Sequence, residues 1–166
     1  MSDGINREPM LEMFIFETVQ LVEQLEQEVL SSERDQGFSI AAINQIFRIM
    51  HTIKSSAAMM LFKNISSLAH ATEDLFYFIR ENKPESIDHS GLTDIVLECV
   101  DYIKGEMAEI QKGRLSDREV PALLDTVKVF LEQLKSSQPD GGLPAGPREA
   151  VPKQQYYIPS NRQEVS

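Results

Sequence analysis

Apolar residues between positions 8 and 136 recur at intervals of three and four, the spacing that lines side chains along one face of an α-helix. Five such stretches follow one another. The first opens near Pro9, a residue suited to an early helical position, and runs through Leu11, Phe14, Thr18, Leu21, Leu25 and Val29. The chain then turns at Asp35-Gln36-Gly37. Ser39 serves as the N-cap of the second stretch, which carries Ile43, Ile46, Phe47, Met50, Ile53 and Ala57 and ends near Phe62. The third follows Asn64 with Ile65, Leu68, Thr72, Leu75, Phe76 and Ile79, and stops before Asn82-Lys83-Pro84, where proline forbids continuation. A loop reaches Gly91, after which Leu92, Ile95, Val96, Cys99, Ile103 and Ile110 form the fourth stretch, ending near Gly113. The fifth opens on the capping-box pattern Ser116-x-x-Glu119 and continues with Val120, Leu123, Leu124, Val127, Leu131 and Leu134.

No stretch alternates with period two for long enough to make a strand, so the expected fold is all-α: an antiparallel four-helix bundle with an additional fifth C-terminal helix. Residues 1–137 are expected to form this domain. Residues 138–166 hold five prolines together with Gly141, Gly142 and Gly146 and lack either period, which reads as a flexible linker or tail. The cluster Tyr156-Tyr157-Ile158 is a sticky patch within it. Met10, Met13, Met50, Met59, Met60 and Met107 are expected to fill gaps in the core.

Charge and composition narrow the function. With 16 Lys and Arg against 26 Asp and Glu the net charge is −10, which repels a nucleic-acid backbone, so no nucleic-acid partner is expected. The tail is balanced, so the excess acidity lies in residues 1–137. Cys99 is alone and has no partner for an intrachain disulfide or a thiolate metal site, which fits a cytoplasmic protein. The longest apolar run, Ala57 to Phe62, is far short of the roughly 20 residues that span a bilayer, and no insertion into a membrane is expected. There is no Gly-rich phosphate loop, Gly-x-Ser-x-Gly elbow, His-Glu-x-x-His pair or Cys-x-x-Cys, so catalysis on ATP by this chain alone is not expected.

The candidate chemistry lies in the second helix. On a helical wheel the core centre falls near Ile43, Met50 and Ala57, and His51 lies roughly 90° away, at the edge between core and water. Lys54 follows one turn on, close enough to share a small anion with it. Ser55 and Ala58 are small enough for another protein surface to approach the imidazole. A neutral imidazole is nucleophilic near neutral pH, since its unperturbed pKa is about 6.5. A carboxylate bonded to the second ring nitrogen would fix the tautomer and stabilise the cationic ring formed on attack. Glu73, flanking the apolar stripe of the third helix, is in place for that task if the second and third helices form an antiparallel hairpin. His70 stands one turn before Glu73 and points away from the stripe. Two other readings of the same residues are a helical scaffold or dimerisation module, in which His51 is an ordinary edge residue, and a carboxylate-bridged metal bundle. The second needs paired Glu-x-x-His motifs, and the chain has only the reversed His70-x-x-Glu73.

The string His51-x-x-Lys54-Ser55-Ser56-Ala57 resembles the His-x-x-Lys-Gly motif of histidine-phosphotransfer (HPt) domains. His51-Thr52-Ile53-Lys54, His70-x-x-Glu73 and the opening Phe14-x-x-Glu17 with Leu21, Leu25 and Leu30 are most similar to the N-terminal phosphotransfer domain of the CheA branch of chemotaxis histidine kinases. The likeness covers about residues 8–136. It implies that His51 is the phosphorylated histidine, Lys54 the neighbouring cation, and His70 and Glu73 the polar partners that tune the imidazole. It further implies a phosphoryl donor, ATP with Mg²⁺ on a separate histidine kinase catalytic domain, and an acceptor aspartate on a Mg²⁺-binding response regulator of the CheY or CheB type. No cofactor or metal would be held by this chain. Two positions depart from the family pattern, which usually has Gly at Ser55 and a small residue, often Gly, at Leu61; a larger side chain at 55 narrows the surface around His51. A Pro-rich stretch that ends without a folded element is what a fragment of a larger kinase would show.

Overall fold

A computed structural model describes residues 2–114 and 121–137, with side chains from residue 9 onward in the first segment and from residue 122 in the second. Five helices follow in order: α1 Ser2–Arg34, α2 Ile40–Met59, α3 Lys63–Asn82, α4 His89–Gln111 and α5 Pro121–Ser137; there is no strand among the described residues. The chain divides into two units, Met1–Leu131 and Glu132–Ser166.

Within the first unit, α2 pairs most extensively with α3, and α1 with α4 and α2. The order of contacts shows that neighbours run antiparallel: Phe47 meets Tyr77, His51 meets Glu73, and Lys54 meets Ser66, so positions advance along α2 as they retreat along α3. On the opposite side Glu26 of α1 accepts from Lys104 of α4 at 2.8 Å. The interior is built from the predicted stripes, with Leu25, Val29, Ile46, Met50, Ile53, Ile65, Leu68, Leu75, Phe76, Leu92, Cys99 and Ile103 all sealed from solvent. Each such aliphatic or aromatic side chain contributes about 1.5–3 kcal/mol by leaving water. Phe14 and Phe62 stack with centroids 5.4 Å apart where α1 crosses the α2–α3 turn. On α5, Val127 is fully buried within the first unit. Of the second unit, the described part is the end of α5, where Leu134 is buried and Ser137 Oγ donates to the Leu134 carbonyl at 3.1 Å.

Helix starts follow side-chain capping in two cases. Ser39 Oγ accepts from the Ala42 amide at 3.0 Å, and Asp88 Oδ1 from the Gly91 amide at 3.0 Å. The second cap moves the start of α4 to His89, so Gly91 is not the end of a loop but lies in the first turn. Its lack of a side chain is needed there, because a Cβ would sit 2.5 Å from Asp88 Oδ2 and 3.2 Å from Phe130. Two further starts differ from the periodicity. Helix α1 extends upstream of Pro9 to Ser2, which puts the proline inside the helix, where it gives up one backbone hydrogen bond and its ring crowds the carbonyl one turn earlier. Helix α3 begins at Lys63, placing Asn64 inside its first turn behind Phe62, which makes no side-chain cap. The capping-box pair Ser116 and Glu119, the stripe residue Val120 and the tail from 138 lie outside the described residues.

Candidate functional site

His51 and Lys54 sit one turn apart on α2, and Glu73 faces them from α3. The three-residue connection from Met60 to Phe62 sets the register. Helical rise places His51 and Glu73 at comparable heights above this turn, roughly 12 and 15 Å. The Glu73 side chain is 9% exposed, and its two oxygens are divided between partners: Oε2 lies 2.6 Å from His51 Nδ1 and Oε1 lies 2.8 Å from Lys54 Nζ. A carboxylate only accepts, so Nδ1 must carry the proton of the neutral ring and Nε2 is left as an unprotonated lone pair. The imidazole itself is 56% exposed. The arrangement presents a nucleophilic nitrogen to solvent while a buried anion holds the opposite nitrogen.

Lys54 is held from both ends, since its carbonyl accepts from Ser66 Oγ at 3.1 Å. Its ammonium compensates the Glu73 charge in a site where an unpaired carboxylate would be costly. Ser55 and Ala58 are both exposed on α2 beyond His51. His70 is exposed and turns to Asp74, Nε2 to Oδ1 3.7 Å; no described hydrogen bond joins it to His51. Ligand atoms of His70, Glu73 and Asp74 fall within 4.8 Å of one another, but Glu73 is already shared by His51 and Lys54.

Three residues beside the imidazole are not ones that periodicity assigns to the site, since it counts Phe47 into the core stripe and passes over Tyr77 and Arg80. Phe47, one turn before His51, lies with its ring 6.4 Å from the imidazole and 22° from parallel to it. Tyr77 lies 6.1 Å from Phe47, and the Arg80 guanidinium sits 4.4 Å over the Phe47 ring and 5.4 Å from that of Tyr77. The i, i+4 spacing of Phe47 and His51 is the one signal in the sequence that could have pointed to the first of these. The methionines also depart from expectation. Met50, Met60 and Met107 are buried, whereas Met10, Met13 and Met59 are exposed and, with Pro9, Phe14, Glu17 and Ser56, line a groove of 370 Å³ between α1 and α2. The apolar stripe of each helix is already complete without them, so the flexible side chains are left on the outer face.

A family profile described as Hpt domain matches residues 9–113, a span that contains His51, Lys54, Glu73 and the whole of α2 and α3. The chain belongs to the Hpt domain family. This Hpt domain is 33% identical over 144 residues to the chemotaxis protein CheA of Halobacterium salinarum, covering 82% of this chain and 21% of that protein. It is 32% identical over 127 residues to the chemotaxis protein CheA of Borreliella burgdorferi, covering 76% of this chain and 14% of the relative. Against the sensor histidine kinase CheAY of Helicobacter pylori it is 30% identical over 101 residues, 61% of this chain and 12% of the relative. The Hpt domain chain thus spans about a fifth or less of the length of these relatives. No solved structure matches it significantly. None of its described helices is long and apolar enough to cross a membrane.

Proposed function

We propose that His51 carries a phosphoryl group from a histidine kinase catalytic domain to the aspartate of a response regulator, of the CheY or CheB type, in chemotaxis-type two-component signalling. The observation that carries this reading is the division of Glu73 between His51 Nδ1 and Lys54 Nζ beneath a ring that stays 56% exposed. Membership of the Hpt domain family and the likeness to CheA proteins support it.

In the first step the Nε2 lone pair attacks the γ-phosphorus of ATP, held with Mg²⁺ by the kinase domain. The N–P bond forms as the bond to the ADP oxygen breaks, and no proton leaves Nε2, which carries none. Nδ1 keeps its proton on Glu73, so the positive charge that develops on the ring faces a carboxylate. In the second step a carboxylate oxygen of the regulator attacks the same phosphorus in line, with Mg²⁺ supplied by the regulator, and the N–P electron pair returns to Nε2. His70 and its neighbour Asp74 border this site from α3, and Ser55 and Ala58 provide the low surface over which the partners approach.

The test is transfer from labelled ATP with the cognate kinase domain. Wild type is expected to gain an acid-labile, base-stable label that is lost in His51→Gln. Equal labelling of both proteins would refute the proposal and return His51 to an ordinary edge residue of a helical scaffold.

A further inference from the structure

The hydrogen bond to Glu73 fixes one atom of the His51 ring and leaves the plane of that ring free to pivot about it. A ring more than half in water would ordinarily use that freedom. Here it has a wall. Phe47 stands one turn earlier on α2, and its ring lies 22° from parallel to the imidazole at 6.4 Å, within the range of offset aromatic stacking. Phe47 is pinned in turn from α3, by Tyr77 at 6.1 Å and by the Arg80 guanidinium 4.4 Å over its face. Arg80 is held by its own bond to Glu81 at 3.0 Å. One helix therefore supplies both constraints: Glu73 sets which nitrogen is free, and Tyr77 with Arg80 set the aromatic face against which the imidazole lies.

We propose that Phe47 is a positioning residue that fixes the plane of the His51 imidazole, aiming Nε2 along the line of approach of the phosphorus. This rests on the phosphotransfer reading above. In-line displacement needs the attacking lone pair aligned with the leaving bond, and a nucleophile that samples many orientations spends less time in the productive one. Phe47 touches neither phosphorus nor partner in this role; it acts through the ring it stacks on.

Ring relaxation and single-turnover kinetics test this together. By ¹³C relaxation, the His51 ring of the wild-type chain is expected to be nearly as ordered as the helix backbone, whereas the ring of His70, similarly exposed and without a described stacking partner, moves faster. Phe47→Leu, which keeps apolar bulk and removes the flat face, is expected to slow phosphorylation at saturating kinase domain about tenfold with KM unchanged. Phe47→Tyr restores the face and should stay within about twofold of wild type. A wild-type His51 ring as mobile as that of His70 overturns the proposal. So does Phe47→Leu at full rate, or a loss confined to KM, which would make Phe47 a partner contact. Should Phe47→Leu not fold, Phe47→Met replaces it, and the wild-type relaxation stands by itself. Failure of the underlying function has a different signature, equal labelling of wild type and His51→Gln, and leaves the relaxation result intact.

Discussion

A carboxylate covered by protein is costly as an anion unless cations and donors surround it. Glu73 has one of each, Lys54 and His51, both from one turn of α2. Glu73→Gln tests whether the charge matters beyond the shape. The amide fits the same space and can accept from Nδ1, but it no longer balances the developing imidazolium or Lys54. The expected result is a fall of about 100-fold in single-turnover phosphorylation of His51, the scale on which a preorganised charge partner counts. The KM for the kinase domain should hold, because Glu73 lies beneath the ring and out of a partner's reach. A rate within twofold of wild type would remove Glu73 from the mechanism. His51 at the edge of its helix and Glu73 on the flank of the next both follow from the 3.6-residue period and a hairpin, so this pair was legible in the sequence. Phe47 was not, because the wheel counts it into the core stripe; its stacking on His51 depends on rotamers and on what α3 brings across from 30 residues away. Met10, Met13 and Met59 misled for a related reason: hydrophobicity does not tell an inner stripe from an exposed face of the same helix.

At the scale of the helices, bodies were easier to read than ends. Three ends share one hydrogen-bond pattern, in which the residue after the cap takes a left-handed conformation and its successor bonds back to the last turn. Gly113, with φ 91, is the expected residue for it, and Arg114 bonds to the Glu109 carbonyl at 3.0 Å. At the other two the left-handed position falls to Gln36, with φ 63, and Leu61, with φ 69; Gly37 and Phe62 close the motifs onto Ser32 and Ala57. Lys83 ends α3 with φ 44 through the single bond to Ile79, since Pro84 behind it has no amide to give. Without a glycine at these sites the sequence marks the stop only approximately. Leu61 carries a strain that is testable. A left-handed non-glycine residue costs about 1–2 kcal/mol, of which glycine's greater freedom when unfolded takes back part. The Leu61 side chain is mostly in solvent, so little packing is lost with it. Leu61→Gly is therefore expected to stabilise the fold by about 0.5–1 kcal/mol, read as a higher urea midpoint at unchanged m. An unchanged or lowered midpoint would mean that the exposed leucine makes contacts worth more than the strain. The small residue that the family pattern places at this position would then have a conformational cause.

For the molecule as a whole, the core is apolar enough to hold a thiol in its neutral form. Cys99 lies on α4 against Thr72 of α3, Oγ1 to Sγ 3.6 Å, and is sealed from solvent. Burial pushes its pKa from the ordinary 9.0 up to about 12, opposed by the Thr72 hydrogen bond and aided slightly by Glu98. A thiol whose folded pKa is raised stays protonated in the fold while the unfolded chain ionises. Below pH 9 both states keep the proton and Cys99 adds no pH dependence; between 9 and 12 the unfolded state alone releases it, and stability is lost as pH rises. The loss is about 1.4 kcal/mol for each unit in that window. The comparison is with Cys99→Ala, which shares every other ionisable group with the wild type. Whatever stability separates wild type from Cys99→Ala at pH 8 should shrink by about 1.4 kcal/mol at pH 10, from urea midpoints measured on both. A gap that stays constant would show that water or a base reaches the α3–α4 interface, and with it that the bundle opens on that side. The backbones of α3 and α4 approach each other less closely than those of α2 and α3, so a dry thiol between them is the more demanding measure of how completely the helices close around the core.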